Sequence, residues 1–232
     1  MPVFGSQMFG SGGAAPGEIA GGITANATAG GSSSAYTFSG QSIGDADDSR
    51  IVVVAVTVGW NGTNSTVTGV TVGGANATQQ AAASGLAAGT ENFRAEIWSV
   101  AVASGTSADV VVSLGAATGN NRGCGISLYR MIDDVEIGAE DTGTASRTGS
   151  GTLTTTVDAK EDGFIVSASV RFVGGTCTWT GVTEAQDAAT VNVSHSSGYD
   201  SPSSDESGKT VAAVWSATNL AGALAVASWY PT

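Results

Sequence analysis

The hydrophobic pattern along this chain is that of β-strands, and it is densest at residues 49–60, SRIVVVAVTVGW. Positions 51 to 56 are apolar without a break and mostly β-branched. Such side chains fit a pleated surface and are stiff in a helix. A continuous apolar run of this length, ended by Gly59, reads as a strand covered on both faces. Residues 51–58 are therefore expected at the centre of a sheet, with the other strands built around them.

Shorter patterns follow on both sides. Tyr36 and Phe38 fall on one face of SAYTFSG, and TVTGVTVG (66–73) ends in the Gly73-Gly74 turn. Residues 76–88 are Ala-rich, yet Gly85 interrupts them and no amphipathic stripe is present, so they read as strand then loop. In NFRAEIWSVAV (92–102), Phe93, Ala95 and Ile97 share one face and Arg94, Glu96 and Trp98 the other. ADVVVSL (108–114) is a strand, and in CGISLYRMI (124–132) Ile126 and Leu128 alternate with Ser127 and Tyr129 as on a half-buried strand. The second half continues with 153–157, then GFIVSASVRFV (163–173), which puts Phe164, Val166, Ala168, Val170 and Phe172 on one face. Segments 177–180, 191–195, 210–216 and 223–230 complete the set. Strands at this spacing, with Gly, Ser, Asn and Asp turns and no alternating helices, predict an all-β antiparallel sandwich. Val52, Val54, Val56, Ile97, Leu128, Val166 and Val170 are expected in its core.

An internal echo links residues 50–56 and 69–72 to residues 163–170 and 181–184 at similar separation. It suggests two related halves, about 34–142 and 143–232, closing over one core as two four-stranded sheets on a jelly-roll plan. Residues 1–33 differ from both. They are Gly, Ala and Ser with scattered apolar anchors, including Phe4, Met8 and Phe9, and read as an extended N-terminal arm. In an extended arm Phe4 and Met8 share a side and Phe9 takes the other, which suits a groove in a neighbouring protein. The sandwich domain is expected from residue 34 to residue 232.

Composition sharpens this picture. Apolar residues are 41% and charged residues 12%, which implies a sizeable core. The 34 glycines suit many tight turns. With 8 basic and 20 acidic residues the net charge is −12, the wrong sign for direct nucleic-acid binding. No basic, apolar leader opens the chain, and no apolar run reaches the ~18 residues of a membrane helix, so membrane insertion is not expected. The two cysteines, Cys124 and Cys177, could form one disulfide, but each sits beside strand residues, which favours buried free thiols.

Candidate chemistry is sparse. Asp45, Asp47 and Asp48 form an oxygen-rich loop of the kind that binds Ca²⁺, but no EF-hand spacing follows, and a solvated turn fits better. The single histidine, His195, lies among Ser194, Ser196, Asp200 and Asp205, without a nucleophile turn. Glu136, Glu140 and Asp141 are not recognisable as a glycosidase pair from spacing. One histidine and two distant cysteines supply no zinc set, and no cofactor is implied. Asn26, Asn61, Asn64, Asn76 and Asn192 each open an N-x-[ST] sequon, as chance dictates in so Ser- and Thr-rich a chain. Of the five tryptophans, Trp60 and Trp179 precede loops and are the candidates for stacking on a sugar ring.

The succession YTFSGQSIGDADDSRIVVVAV, GVTVGG, FRAEIWSVAV, ADVVVSLG and CGISLYRMI resembles the β-sandwich structural proteins of tailed bacteriophages, of minor tail, fibre or head-decoration type. The opening FGSQMFGSGG resembles their short attachment arms. The resemblance implies a non-enzymatic virion component that docks through its arm onto other virion proteins or copies of itself. It would display its sandwich outward, toward a host-surface glycan or receptor. The alternative is a soluble carbohydrate-binding module of a bacterial surface or secreted system. A glycan hydrolase is a third reading, and it lacks a recognisable site.

Overall fold

The structure, a computed structural model, describes residues 21–62, 65–86, 91–118, 122–133, 135–148, 151–172, 174–190, 192–216 and 221–232. Among them there are strands, turns and bends but no helix. The first half of the chain forms β1 (Gly22–Gly30), β2 (Ala35–Ser42), β3 (Ile51–Asn61), β4 (Val67–Val72), the two-residue β5 (Ala75–Asn76), β6 (Thr78–Leu86), β7 (Glu91–Ala101), β8 (Ser107–Leu114) and β9 (Gly123–Met131). The second forms β10 (Asp141–Arg147), β11 (Leu153–Ala159), β12 (Phe164–Phe172), β13 (Cys177–Thr180), β14 (Thr183–Thr190), β15 (Val193–Asp200), β16 (Glu206–Trp215) and β17 (Gly222–Trp229).

All ladders are antiparallel, in four sheets ordered β1-β9-β3-β7-β6, β2-β8-β4-β5, β10-β17-β12-β15-β14 and β11-β16-β13. The sheets stack in four layers. The face of β3 that carries Val52, Val54, Val56 and Val58 packs on Tyr36, Phe38, Val70 and Val112 of the β2 sheet. Its other face, with Val53 and Ala55, packs on Val166, Ala168 and Ala225 of the β12 sheet. The far side of that sheet, with Ile165, Leu224 and Val226, meets Leu153, Val211 and Trp215 of the β11 sheet. The alternation of side chains across each strand thus feeds two layers from each central sheet. β3 is central and buried along its length except at Asn61, as its unbroken apolar run requires. All seven residues expected in the core are fully buried.

The order of strands is the same in both halves once β5 is set aside: β1, β9, β3, β7 and β6 correspond to β10, β17, β12, β15 and β14, and β2, β8 and β4 to β11, β16 and β13. The echo in the sequence carries the same correspondence to single positions. Ile51, Val53 and Ala55 match Phe164, Val166 and Ala168, all facing the interface between the halves. TVTGVT at 66–71 matches TWTGVT at 178–183. Each half is thus a complete two-sheet sandwich of its own, rather than one sheet of a shared sandwich. The two central sheets meet about a pseudo-two-fold axis, β6 beside β10 and β1 beside β14.

Four elements differ from the sequence expectation. Residues 22–30, assigned to the arm by composition, form β1 and pair with β9 along their length. β10 and β14 lie where no strand was expected, because DTGTASR and TEAQDAAT are edge strands with little apolar surface. β9 is not half-buried: Ser127 and Tyr129 are as buried as Ile126 and Leu128, because a second sandwich covers the face they occupy. Phe4, Met8 and Phe9 lie outside the described residues.

Candidate functional site

Trp60 closes the first sandwich core. It is fully buried, and its Nε1 donates to the Ala116 carbonyl at 3.3 Å, so it offers no ring face to a ligand, contrary to its position before a loop. Trp179 is half-buried on β13, turned inward, and donates Nε1 to Ser196 Oγ at 2.8 Å. Trp98, Trp215 and Trp229 are buried. Each ring was drawn into a layer that a linear pattern does not reveal. Cys124 and Cys177 are free buried thiols in different cores, and burial pushes Cys177 up to about 12.

The Asp45 loop is organised from within by Arg50. Its buried guanidinium donates from Nε to the Val102 carbonyl (2.6 Å), to the carbonyls of Gly44 (2.9 Å) and Asp45 (2.8 Å), and to that of Ser104 (2.8 Å). Asp47 closes the turn by accepting from the Ser49 amide (2.8 Å) and hydroxyl (2.6 Å), and the Ser49 hydroxyl bond holds its carboxyl below the usual range. The carboxylates of the linker and nearby turns are engaged in the same way. Glu140 accepts from the Tyr230 amide and Asp141 from the Asp158 amide. Glu136 lies on the exposed linker between the halves. Among the described residues no three His, Cys, Asp or Glu side chains are grouped to hold a metal ion.

Two surface clefts lie among the described residues. The larger, about 310 Å³, lies between β11 and β16 and is lined by Asp158, Lys160, Asp205, Glu206 and Tyr230. Its groups largely pair with one another. Lys160 Nζ donates to Asp205 Oδ2 at 2.6 Å, and Asp158 Oδ1 accepts from the Ser207 hydroxyl and the Gly208 amide. The smaller, about 180 Å³, lies between residues 175–176 and β14. There Asp187 accepts from the Cys177 amide at 3.0 Å and so covers a donor at the edge of β13.

The richest constellation is internal. Where β9 and β3 meet β14 and β15, the interface between the halves is polar. His195 Nδ1 lies 2.8 Å from Thr57 Oγ1 and its Nε2 3.1 Å from Thr190 Oγ1. Ser197 donates to Ser127 (2.7 Å), which donates to Gln186 Oε1 (2.7 Å). Tyr129 lies beside these serines, and burial pushes its phenol up. The sequence placed His195 among Ser194, Ser196, Asp200 and Asp205. In the fold those serines face the opposite layer, and the partners of His195 are threonines, one of them 138 residues away. No local signal could reveal this cluster, because it exists only once the halves are stacked. His195 is fully buried and bonded on both nitrogens, an arrangement that packs two sheets together rather than presenting a base to solvent. No protein-family model, curated protein or solved structure matches the chain.

Proposed function

We propose that this chain is a non-enzymatic structural module, a virion component of the tailed-phage type anchored by its N-terminal arm and displaying a doubled β-sandwich outward. One observation carries this reading: the duplicated four-layer stack turns its aromatic rings inward and leaves small residues on its two outer faces. Among the described residues no aromatic side chain is exposed. Thr37 and Val111 lie on one outer face, and Thr154, Thr156, Thr178 and Thr180 on the other. Within each half the first strand lies beside the last, and the order β1-β9-β3-β7 is that of one sheet of a jelly roll. β6 has left the second sheet, where β5 marks its expected place, to pair with β7. A jelly-roll plan is one that viral capsid domains use, as lectin domains also do. Trp179, a candidate for stacking on a sugar ring, is half-buried with its indole N–H committed to Ser196.

The arm supplies the anchor. Fully burying Phe4, Met8 or Phe9 in a neighbour offsets about 1.5–3 kcal/mol each against ordering costs of about 1–2 kcal/mol per residue. Mass spectrometry of purified particles from the phage or prophage encoding this chain should find it in fixed proportion to the other virion proteins. A variant lacking residues 1–12 should fold and be lost from the particle. Absence of the full chain from particles would sink the virion reading. Full incorporation of the truncated chain would sink the anchoring role alone.

A further inference from the structure

The polar cluster between the halves occupies positions where the fold itself does not call for polarity. The pseudo-two-fold relation places His195, Ser197, Ser127 and Tyr129 at the positions that Ala95, Ile97, Ala225 and Ala227 hold on the other flank. On that flank small residues bring the backbones together, so that a Cβ on Gly85 would stand 2.4 Å from the Gly222 carbonyl oxygen. On the His195 flank the sheets are held apart by side chains. The imidazole faces Thr57 from β3 and Thr190 from β14, and the Gly125 backbone from β9 lies beneath it, where a Cβ would meet the ring at 2.9 Å. Val170 is its neighbour on β12, and at the rim Arg122 lies over the Phe172 ring at 5.2 Å. None of these groups is a carboxylate that could balance an imidazolium. The hydrogen bonds suit a neutral ring. Thr57 gives its hydroxyl to the Gly125 carbonyl at 3.2 Å, which leaves its oxygen to accept from an Nδ1–H tautomer and Nε2 free to accept the hydroxyl of Thr190.

We propose that this cluster is an acid-sensitive latch between the two sandwiches. Protonation of His195 removes the acceptor at Nε2, leaves a charge without a counter-ion between the sheets, and parts β14 and β15 from β1 and β9. The alanine and glycine flank acts as the hinge, and each sandwich keeps its own outer core. Burial holds the closed-state imidazole at about 3, against an ordinary value of about 6.5. The stabilisation of the closed state is therefore complete above the ordinary value and lost as pH falls toward the depressed one. Over that window each pH unit moves the balance about tenfold toward the open state, or about 100-fold at pH 4.5.

Segment-resolved hydrogen exchange on the full chain at pH 7 and pH 4.5, corrected for the intrinsic pH dependence, tests this. The wild type should lose protection about 100-fold in residues 123–131 and 183–200 and keep it in residues 107–114. His195→Gln should show no such segmental loss. Equal losses in the two proteins, or a loss spread evenly along the chain, would overturn the latch. His195 is the only histidine, so its imidazole NMR signals need no assignment and provide a test on the wild type alone. The ring should stay neutral wherever the seam is protected, and a ring titrating near 6.5 with the seam still closed would also overturn it.

Discussion

Arg50 and Glu96 are both buried, and their surroundings treat charge in opposite ways. Arg50 is met by backbone carbonyls on every side, so its planar fork is satisfied in a way a lysine could not reproduce. Glu96 is met by neutral donors. Its Oε2 accepts from Gln79 Nε2 (2.8 Å) and Trp98 Nε1 (3.0 Å), while Oε1 has only Arg94 at 3.7 Å. Burial raises its pKa against the pull of these neighbours. The native protein therefore holds this proton more tightly than the unfolded chain does. That contribution is complete below the ordinary glutamate range and is lost as pH rises through the raised value. Glu96→Gln removes the titration, so the stability of the wild type relative to Glu96→Gln should fall as pH is raised from 4 to 7. Urea unfolding of both proteins at several pH values measures the difference, and a difference independent of pH would show that the carboxyl titrates normally.

Contact between elements is closest where side chains are smallest. β6 and β17 approach through Gly85 and Gly222, and the atom a Gly85 side chain would strike is a backbone carbonyl that cannot rotate away. Gly85→Ala should therefore push β6 off β17 and cost about 2–3 kcal/mol, toward the upper end of overpacking penalties. Gly69, in β4, has open space around its missing Cβ and no positive φ, so Gly69→Ala should be neutral or gain up to about 1 kcal/mol. Denaturant midpoints of the two variants decide the matter, and equal effects would mean that the close approach is not what Gly85 provides. The elements themselves were legible wherever burial left a pattern. β3 was readable as doubly covered because positions 51–56 along it are apolar without a break, and β12 was readable as a strand because Phe164, Val166 and Val170 alternate. β10 and β14 were invisible because an edge strand with one half-buried face needs few apolar residues. Ser127, Tyr129 and Trp60 were misplaced for one reason: the sequence shows which residues alternate but not how many layers receive them. The polar seam joins residues 59, 70 and 138 positions apart.

At the scale of the molecule the chain is an internal dimer. Each half encloses an outer core, and the largest shared cluster lies between them, built from Val53, Ala55, Phe93 and Ile97 on one side and Phe164, Val166, Ala225 and Trp229 on the other. Two surfaces of this size and apolarity do not remain in water separately, since contiguous apolar patches beyond a few hundred Å² are covered in stable monomers. The linker is tacked to both halves: the carbonyl of Ile137 accepts from Ser99 at 2.7 Å, the amide of Ala139 donates to Gln80 at 2.9 Å, Val135 bridges Pro231, and Val135 and Ala139 pack on the shared core. Its main effect is to keep the halves at high effective concentration. Cutting it should therefore leave the pair assembled. A protease site inserted after Asp133, which is exposed on the linker, allows the full chain to fold first and be cleaved afterwards. The cleaved protein should elute as one species at micromolar concentration and separate only in denaturant. Fragments that part in native buffer as folded monomers would show that the central interface is not a core, and that the two sandwiches are independent domains held together by their linker alone.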